Sequence, residues 1–299
     1  MGGTAAPGAA RADNLKGALM LALAALAFTA EATLVRLIGP DAAQAQLVAA
    51  RGLLQLAAVG LWILATDPAR LGTRRPLMHL ARGATSLLCW WLYYASFRSL
   101  DFALATTLTF TSSLFVVALA GPVLGERVGA WRWAMTVLGF AGVVLAAAPA
   151  GLASLPGVGM GLGAAAAAAA LVFLNRILAR TEATATIMFH IGLVASLGAL
   201  PFAILDWRPL EPGAAALVLA AAGLGATGMM LTIEAYRVGE VSALAPVPYL
   251  RLVFAIAVGA ALFGEMPTLA MLAGSALIVA CSLMLRPPWR RRGLRAPLP

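Results

Sequence analysis

Ten runs of nearly unbroken apolar sequence lie between about Leu15 and Leu285, joined by short polar connections. A helix needs roughly 20 apolar residues to cross the hydrocarbon core of a bilayer. These runs predict spans over 15–38, 45–65, 77–98, 102–122, 131–148, 157–178, 184–205, 212–236, 241–263 and 269–286. A water-soluble chain of 299 residues would not be 62% hydrophobic with only 11% charged residues. The expected class is therefore an all-α integral membrane protein. The first run is too long for the core of a signal peptide, lacks a small-x-small cleavage site and is followed by further spans, so it is expected to stay.

The net charge of +9 is distributed unevenly. If ten spans alternate, Arg70, Arg74, Arg75, Arg132, Arg180 and the tail Arg290–Arg292 fall on one side, while Arg36, Arg98 and Arg208 fall on the other. Positive residues stay cytoplasmic, so both termini are expected in the cytoplasm of a bacterial-type inner membrane. The basic tail then lies against anionic lipid head groups. A nucleic-acid partner is not expected, because no domain is left to carry it. The assembly is expected to be a monomer or a homodimer.

The second five runs repeat the first five. Shifted by 139 residues, Phe97-Arg98-Ser99-Leu100-Asp101 lies over Tyr236-Arg237-Val238-Gly239-Glu240, and Leu124-Gly125-Glu126 over Phe263-Gly264-Glu265. Each half has an odd number of spans, so the halves must be inserted upside down relative to each other. Inverted repeats of this kind give secondary transporters two exchangeable conformations around a midplane site. The expected organisation is a first repeat at 1–149, a second at 157–287 and a cytoplasmic tail at 288–299.

The run Ala105-Thr106-Thr107-Leu108-Thr109-Phe110-Thr111-Ser112-Ser113-Leu114-Phe115, ending in Leu124-Gly125-Glu126-Arg127, resembles the first repeat of EamA-type carriers of the drug/metabolite transporter superfamily. Ala245-Pro246-Val247-Pro248-Tyr249-Leu250-Arg251-Leu252 through Phe263-Gly264-Glu265-Met266-Pro267 is similar to the matching part of the second. The resemblance implies a ten-helix carrier with spans 1–4 and 6–9 around a central cavity and spans 5 and 10 outside it. It also implies a small metabolite as substrate. Amino-acid export is the main expectation, and import of S-adenosylmethionine or a similar compound is the alternative. No nucleotide loop, metal cluster or catalytic constellation stands out, so neither a cofactor nor an enzyme is expected. An intramembrane lipid-modifying enzyme is the rival class; its polar groups would cluster at one interface, which these do not.

Ionisable groups inside a membrane are costly and normally face a partner or a cavity. Glu31 and Arg51 lie at similar depth on adjacent spans, so they can meet as a structural ion pair, bind the two charges of an amino acid, or gate. Arg251 falls about ten residues into span 9, roughly 15 Å deep, with no acidic residue at that depth. It is the candidate anion contact, its alternatives being snorkelling or bonding to carbonyls freed near Pro246 and Pro248. That proline pair is the candidate hinge, and Tyr249 joins the site candidates beside it. His190 and Glu234 are the other candidate proton or gating groups.

Trp90, Trp91, Tyr93 and Tyr94 cluster midway along span 3, away from the interfaces where such rings concentrate. Trp90 and Tyr94 are candidates to line the cavity, and core filling is the alternative. In span 4, Thr106, Thr109 and Ser113 form a stripe at helical spacing that can offer hydroxyls to a polar solute or serve helix packing. Glu126 and Glu265 stand before spans 5 and 10, where a carboxylate can cap the next helix. Cys89 and Cys281 read as small packing residues.

Overall fold

The computed structural model describes residues 7–124, 129–148, 154–178, 181–238, 244 and 247–284. Within them the chain is helical, with no strand. The helices are α1 (Pro7–Ile38), α2 (Gln44–Thr66), α3 (Pro76–Ser99), α4 (Phe102–Thr109), α5 (Ser112–Leu124) and α6 (Ala130–Ala147). They continue with α7 (Leu155–Leu178), α8 (Thr184–Leu205), α9 (Pro212–Val238), α10 (Leu250–Phe263) and α11 (Leu269–Met284). Seven segments are long and apolar enough to cross a membrane, and α10 and α11 are shorter apolar helices. The protein is thus a multi-pass helical membrane protein. Its outward faces carry bare hydrophobic side chains, such as Leu61 and Leu64 on α2 and Val144 on α6. Trp131, Trp133 and Trp207 are exposed at helix ends, the positions where indole rings favour the interface.

Two expected spans are built differently from an unbroken helix. The span at 102–122 is interrupted at Phe110–Thr111, between α4 and α5. There the amides of Phe110, Thr111 and Leu114 donate to the carbonyls of Thr107, Leu108 and Thr111, three residues back. The hydroxyls of Thr109, Thr111 and Ser113 also return to the backbone three residues earlier. Such back-bonding competes with the regular ladder and bends helices. In the span expected at 241–263, Leu244 is helical, a 3-10 turn covers Val247–Tyr249 and α10 runs on from Leu250, the residues between lying outside those described. Pro248 lies in that turn; Pro246 and Glu126 lie outside the described residues.

Long helices pair side by side: α1 with α9, α2 with α8, α3 with α7 and α8, and α6 with α11. Lipid is as apolar as the helix faces, so close van der Waals contact and interhelical hydrogen bonds must drive this packing. The α6–α11 pair uses both. A Cβ on Gly274 would collide with the backbone of Gly142 and Ala146, so the two helices touch main chain to main chain. Thr107 Oγ1 and Ser275 Oγ lie 2.9 Å apart, and Ser113 Oγ and Ser282 Oγ 2.7 Å apart, stapling α4 and α5 to α11.

Candidate functional site

Two groups of charge in the bundle interior involve the expected site residues. In the first, Glu31 of α1 and Arg51 of α2 form an ion pair, and both are almost wholly buried. The Tyr94 hydroxyl of α3 donates to Glu31 Oε1 at 2.6 Å and accepts from Arg51 Nη1 at 3.2 Å. The Arg51 guanidinium lies 4.4 Å from the centre of the Trp90 ring, where the ring quadrupole favours a cation. α9 closes the group from the side with Gly225, where a Cβ would overlap Arg51 Nη1 and Glu31 Oε1. Gly225→Ala is expected to cost about 1–3 kcal/mol through overpacking, read as a lower melting temperature in detergent. Wild-type melting would mean that the pair has room to move aside.

The second group is open-ended. Arg251 stands in the first turn of α10, directly after the 3-10 turn over Val247–Tyr249 that interrupts the span. Its guanidinium lies between two rings, 5.5 Å from Phe28 of α1 and 5.1 Å from Tyr93 of α3. Arg251 Nε and Nη2 are buried without a hydrogen-bond partner, and so is the Tyr93 hydroxyl. Buried donors are normally paired, so this is a polar face with unused capacity. Next to it, at the two helix breaks, the rings of Phe110 and Tyr249 stack 4.8 Å apart.

The four neighbouring aromatics of α3 divide by direction. Trp90 and Tyr94 serve the ion pair, Tyr93 meets Arg251, and Trp91 packs edge-on against Phe202 of α8 at 5.8 Å. The helical stripe expected for Thr106, Thr109 and Ser113 does not survive the break in the helix. Thr106 is buried, Thr109 donates to the Thr106 carbonyl, and Ser113 is engaged by Ser282. The structure sets His190 against His79 of α3, with ring centres 4.4 Å apart, while Glu234 is half-buried on α9.

At the end where α3 finishes, a cleft of about 390 Å³ is lined by Arg36, Gly39, Pro40 and Arg98. Arg36 pairs with Glu265, whose other oxygen accepts the Phe102 amide at 2.6 Å. Glu265 therefore caps α4 rather than the helix that follows it. Thr268 Oγ1 takes the amide of Met271 at the start of α11 instead. Sequence reasoning missed this tie, as well as Phe28 and His79, and placed Tyr93 in the span 3 aromatic cluster without choosing it. The signal for Arg36 was present in its isolation on the side poor in positive charge. Among the described residues, no three His, Cys, Asp or Glu converge as metal ligands.

Membrane-length helices enclosing buried charge, with polar donors left unused inside, define a multi-pass membrane transporter. The EamA-like transporter family model matches residues 15–148 and again 155–286. The chain belongs to that family, within the drug/metabolite transporter superfamily. It is 27% identical over 217 residues to the S-adenosylmethionine uptake transporter of Rickettsia conorii, covering 72% of this chain and 73% of that protein. It is 28% identical over 224 residues to the riboflavin transporter of Rhizobium johnstonii, covering 73% and 72%. A solved crystal structure superposes with a TM-score of 0.58 at 19% identity, covering 93% of this chain and 96% of the other. That last likeness speaks for the fold alone.

Proposed function

We propose that this chain is a secondary transporter that takes up a carboxylate-bearing metabolite with a heteroaromatic ring, of the S-adenosylmethionine kind, across a bacterial inner membrane. The observation that carries the reading is Arg251, a buried cation with two unused nitrogens set between two aromatic faces. A positive side chain in the first turn of a helix opposes the helix dipole, and a bound carboxylate relieves that conflict. The guanidinium fork suits a carboxylate, Tyr93 adds a hydroxyl, and the rings offer surfaces for a flat heterocycle. The names of the relatives favour uptake of S-adenosylmethionine over the amino-acid export expected from family resemblance. The riboflavin relative favours a second reading, in which the rings dominate. Riboflavin has no carboxylate, so the two readings separate at Arg251.

Ten spans in two inverted five-span repeats, 1–149 and 157–287, complete the reading, with the tail 288–299 and both termini in the cytoplasm. Its support is geometric. The pairing of α2 with α8 and of α6 with α11 maps onto itself under exchange of the halves, and that of α1 with α9 maps onto that of α3 with α7. The two helix breaks obey the same 139-residue shift: Phe110 corresponds to Tyr249, and the rings stack on each other. Broken helices at corresponding positions are the usual mark of a transporter's binding site. The Glu31–Arg51 pair, with its hydrogen bonds and ring contact, holds the wall of that site, and Pro248 lies at the break.

Counterflow in proteoliposomes tests the proposal. Vesicles loaded with S-adenosylmethionine should accelerate entry of the labelled compound, and those loaded with threonine should not. Exchange of riboflavin alone would favour the second reading. Exchange of amino acids alone would restore the export expectation.

A further inference from the structure

We propose that His79, His190 and Glu182 form a proton-binding site, separate from the substrate site, that holds one proton and thereby joins the start of α3 to the start of α8. His79 lies in the first turn of α3, 1% exposed, and neither ring nitrogen has a hydrogen-bond partner. Two features face it. The His190 ring stacks on it with centres 4.4 Å apart and planes 34° apart. The Glu182 carboxylate, in the turn before α8, stands 3.9 Å from its Nε2. That carboxylate is itself held, because Thr73 Oγ1 donates to Glu182 Oε1 at 2.8 Å.

An imidazole buried without partners has a choice between two costs. Neutral, it leaves donor and acceptor unused; charged, it must face an anion. Glu182 supplies the anion, and its carboxylate lies near the surface, 10% exposed, which gives a proton a route in. Among the described residues, the other charged group facing His79 is Arg82 on α3, whose guanidinium is turned to Asn175 of α7 and Ser86. α2 has no ionisable group besides Arg51, which is paired with Glu31. His190 Nδ1 lies 2.9 Å from the Thr186 carbonyl, a contact that a neutral ring satisfies as donor. Two stacked imidazolium ions at this spacing would repel by about two to three pH units. The site therefore takes one proton and refuses the second.

The proton has a mechanical consequence. A charged His79 donates from Nε2 to Glu182, and such bonds close to about 2.8 Å. Closing the present gap pulls the turn ahead of α8 onto α3, at the opposite end of α3 from the Arg36–Glu265 tie. Proton binding then fastens one end of the bundle while the other is held by a fixed ion pair. Linkage of this fastening to substrate flux rests on the transport reading above; the proton site itself does not.

The chain has only two histidines, so histidine labelling reports on this pair alone. The experiment is NMR of ¹⁵N-histidine-labelled, full-length protein without a histidine tag, in nanodiscs and without substrate, titrated from about pH 8 to about pH 5. One imidazole should take up a proton and its neighbour should stay neutral. In Glu182→Gln the midpoint should fall by about one pH unit, since the anion that favours the charged ring is gone. Two rings titrating independently in the wild-type protein would overturn the proposal, whether or not the variant folds; so would an unmoved midpoint in Glu182→Gln. In vesicles with an imposed pH gradient, accumulation of labelled S-adenosylmethionine should fall at least tenfold in Glu182→Gln. Accumulation that ignores the gradient would overturn the coupling. A normal titration with no flux in the wild-type protein would sustain the proton site and overturn the substrate reading.

Discussion

Arg251→Ala abolishes saturable transport while leaving the protein folded in the membrane: this is the largest functional effect expected of any single substitution here. Removing one partner of a buried, hydrogen-bonded charge pair costs about 2–5 kcal/mol of binding, which is about 30-fold or more in affinity. Folding should not suffer, because Arg251 Nε and Nη2 make no hydrogen bond to the protein in the first place. Deleting a buried charge that has no counterion among the described residues should if anything raise the melting temperature. Arg251→Lys keeps the charge but not the fork, so it should recover part of the binding. Direct binding of labelled S-adenosylmethionine to detergent-solubilised protein, alongside melting curves, checks all three points. An alanine variant that binds as tightly as the wild type would remove Arg251 from the site.

The largest effect on stability should come from Glu31→Gln. It strands the Arg51 guanidinium among Trp90, Tyr94 and Gly225, buried and without an anion. Breaking a buried ion pair by neutralising one partner costs about 3–5 kcal/mol. Replacing both charges costs less, because an uncompensated charge no longer remains. A double-mutant cycle with Glu31→Gln and Arg51→Gln should therefore be strongly non-additive, the double variant being more stable than Glu31→Gln alone. Additive losses would mean that the two charges are solvated separately. Tyr94→Phe, which removes only the bridging hydroxyl, should cost about 1 kcal/mol.

The membrane class was legible because a helix that faces lipid has to be apolar for its whole length, and that requirement leaves long runs. The meeting of Glu31 and Arg51 was legible for a similar reason: equal depth on adjacent spans leaves few other partners. What escaped the sequence lay in the backbone. The threonine-rich run of α4 and α5 has the composition of a continuous span, and only the hydroxyl-to-carbonyl bonds reveal that it breaks at Phe110. That break undid the expected Thr106, Thr109 and Ser113 stripe. The 3-10 turn over Val247–Tyr249, equally invisible in composition, sets Arg251 in the first turn of α10. Contacts between residues far apart in the chain were illegible too. Glu265 looks like a cap for its own successor, yet it serves Phe102, 163 positions earlier. His79 drew no reading from the sequence, and its burial against His190 is visible only once α3 and α8 are side by side.

Gly225 carries a consequence for how such chains diverge. Since a Cβ there would overlap the ends of the Glu31 and Arg51 side chains unless they shift, changes at positions 31, 51 and 225 are coupled. A lineage that keeps both charges in this arrangement favours the hydrogen at 225, and a larger residue is accommodated most easily after the charges have gone. Among descendants of a common ancestor these three sites should change as one character, in that order. A lineage that holds the pair beside a bulky residue 225 must have moved α9 away from α1 and α2, and would mark the point where the family opened a wider cavity.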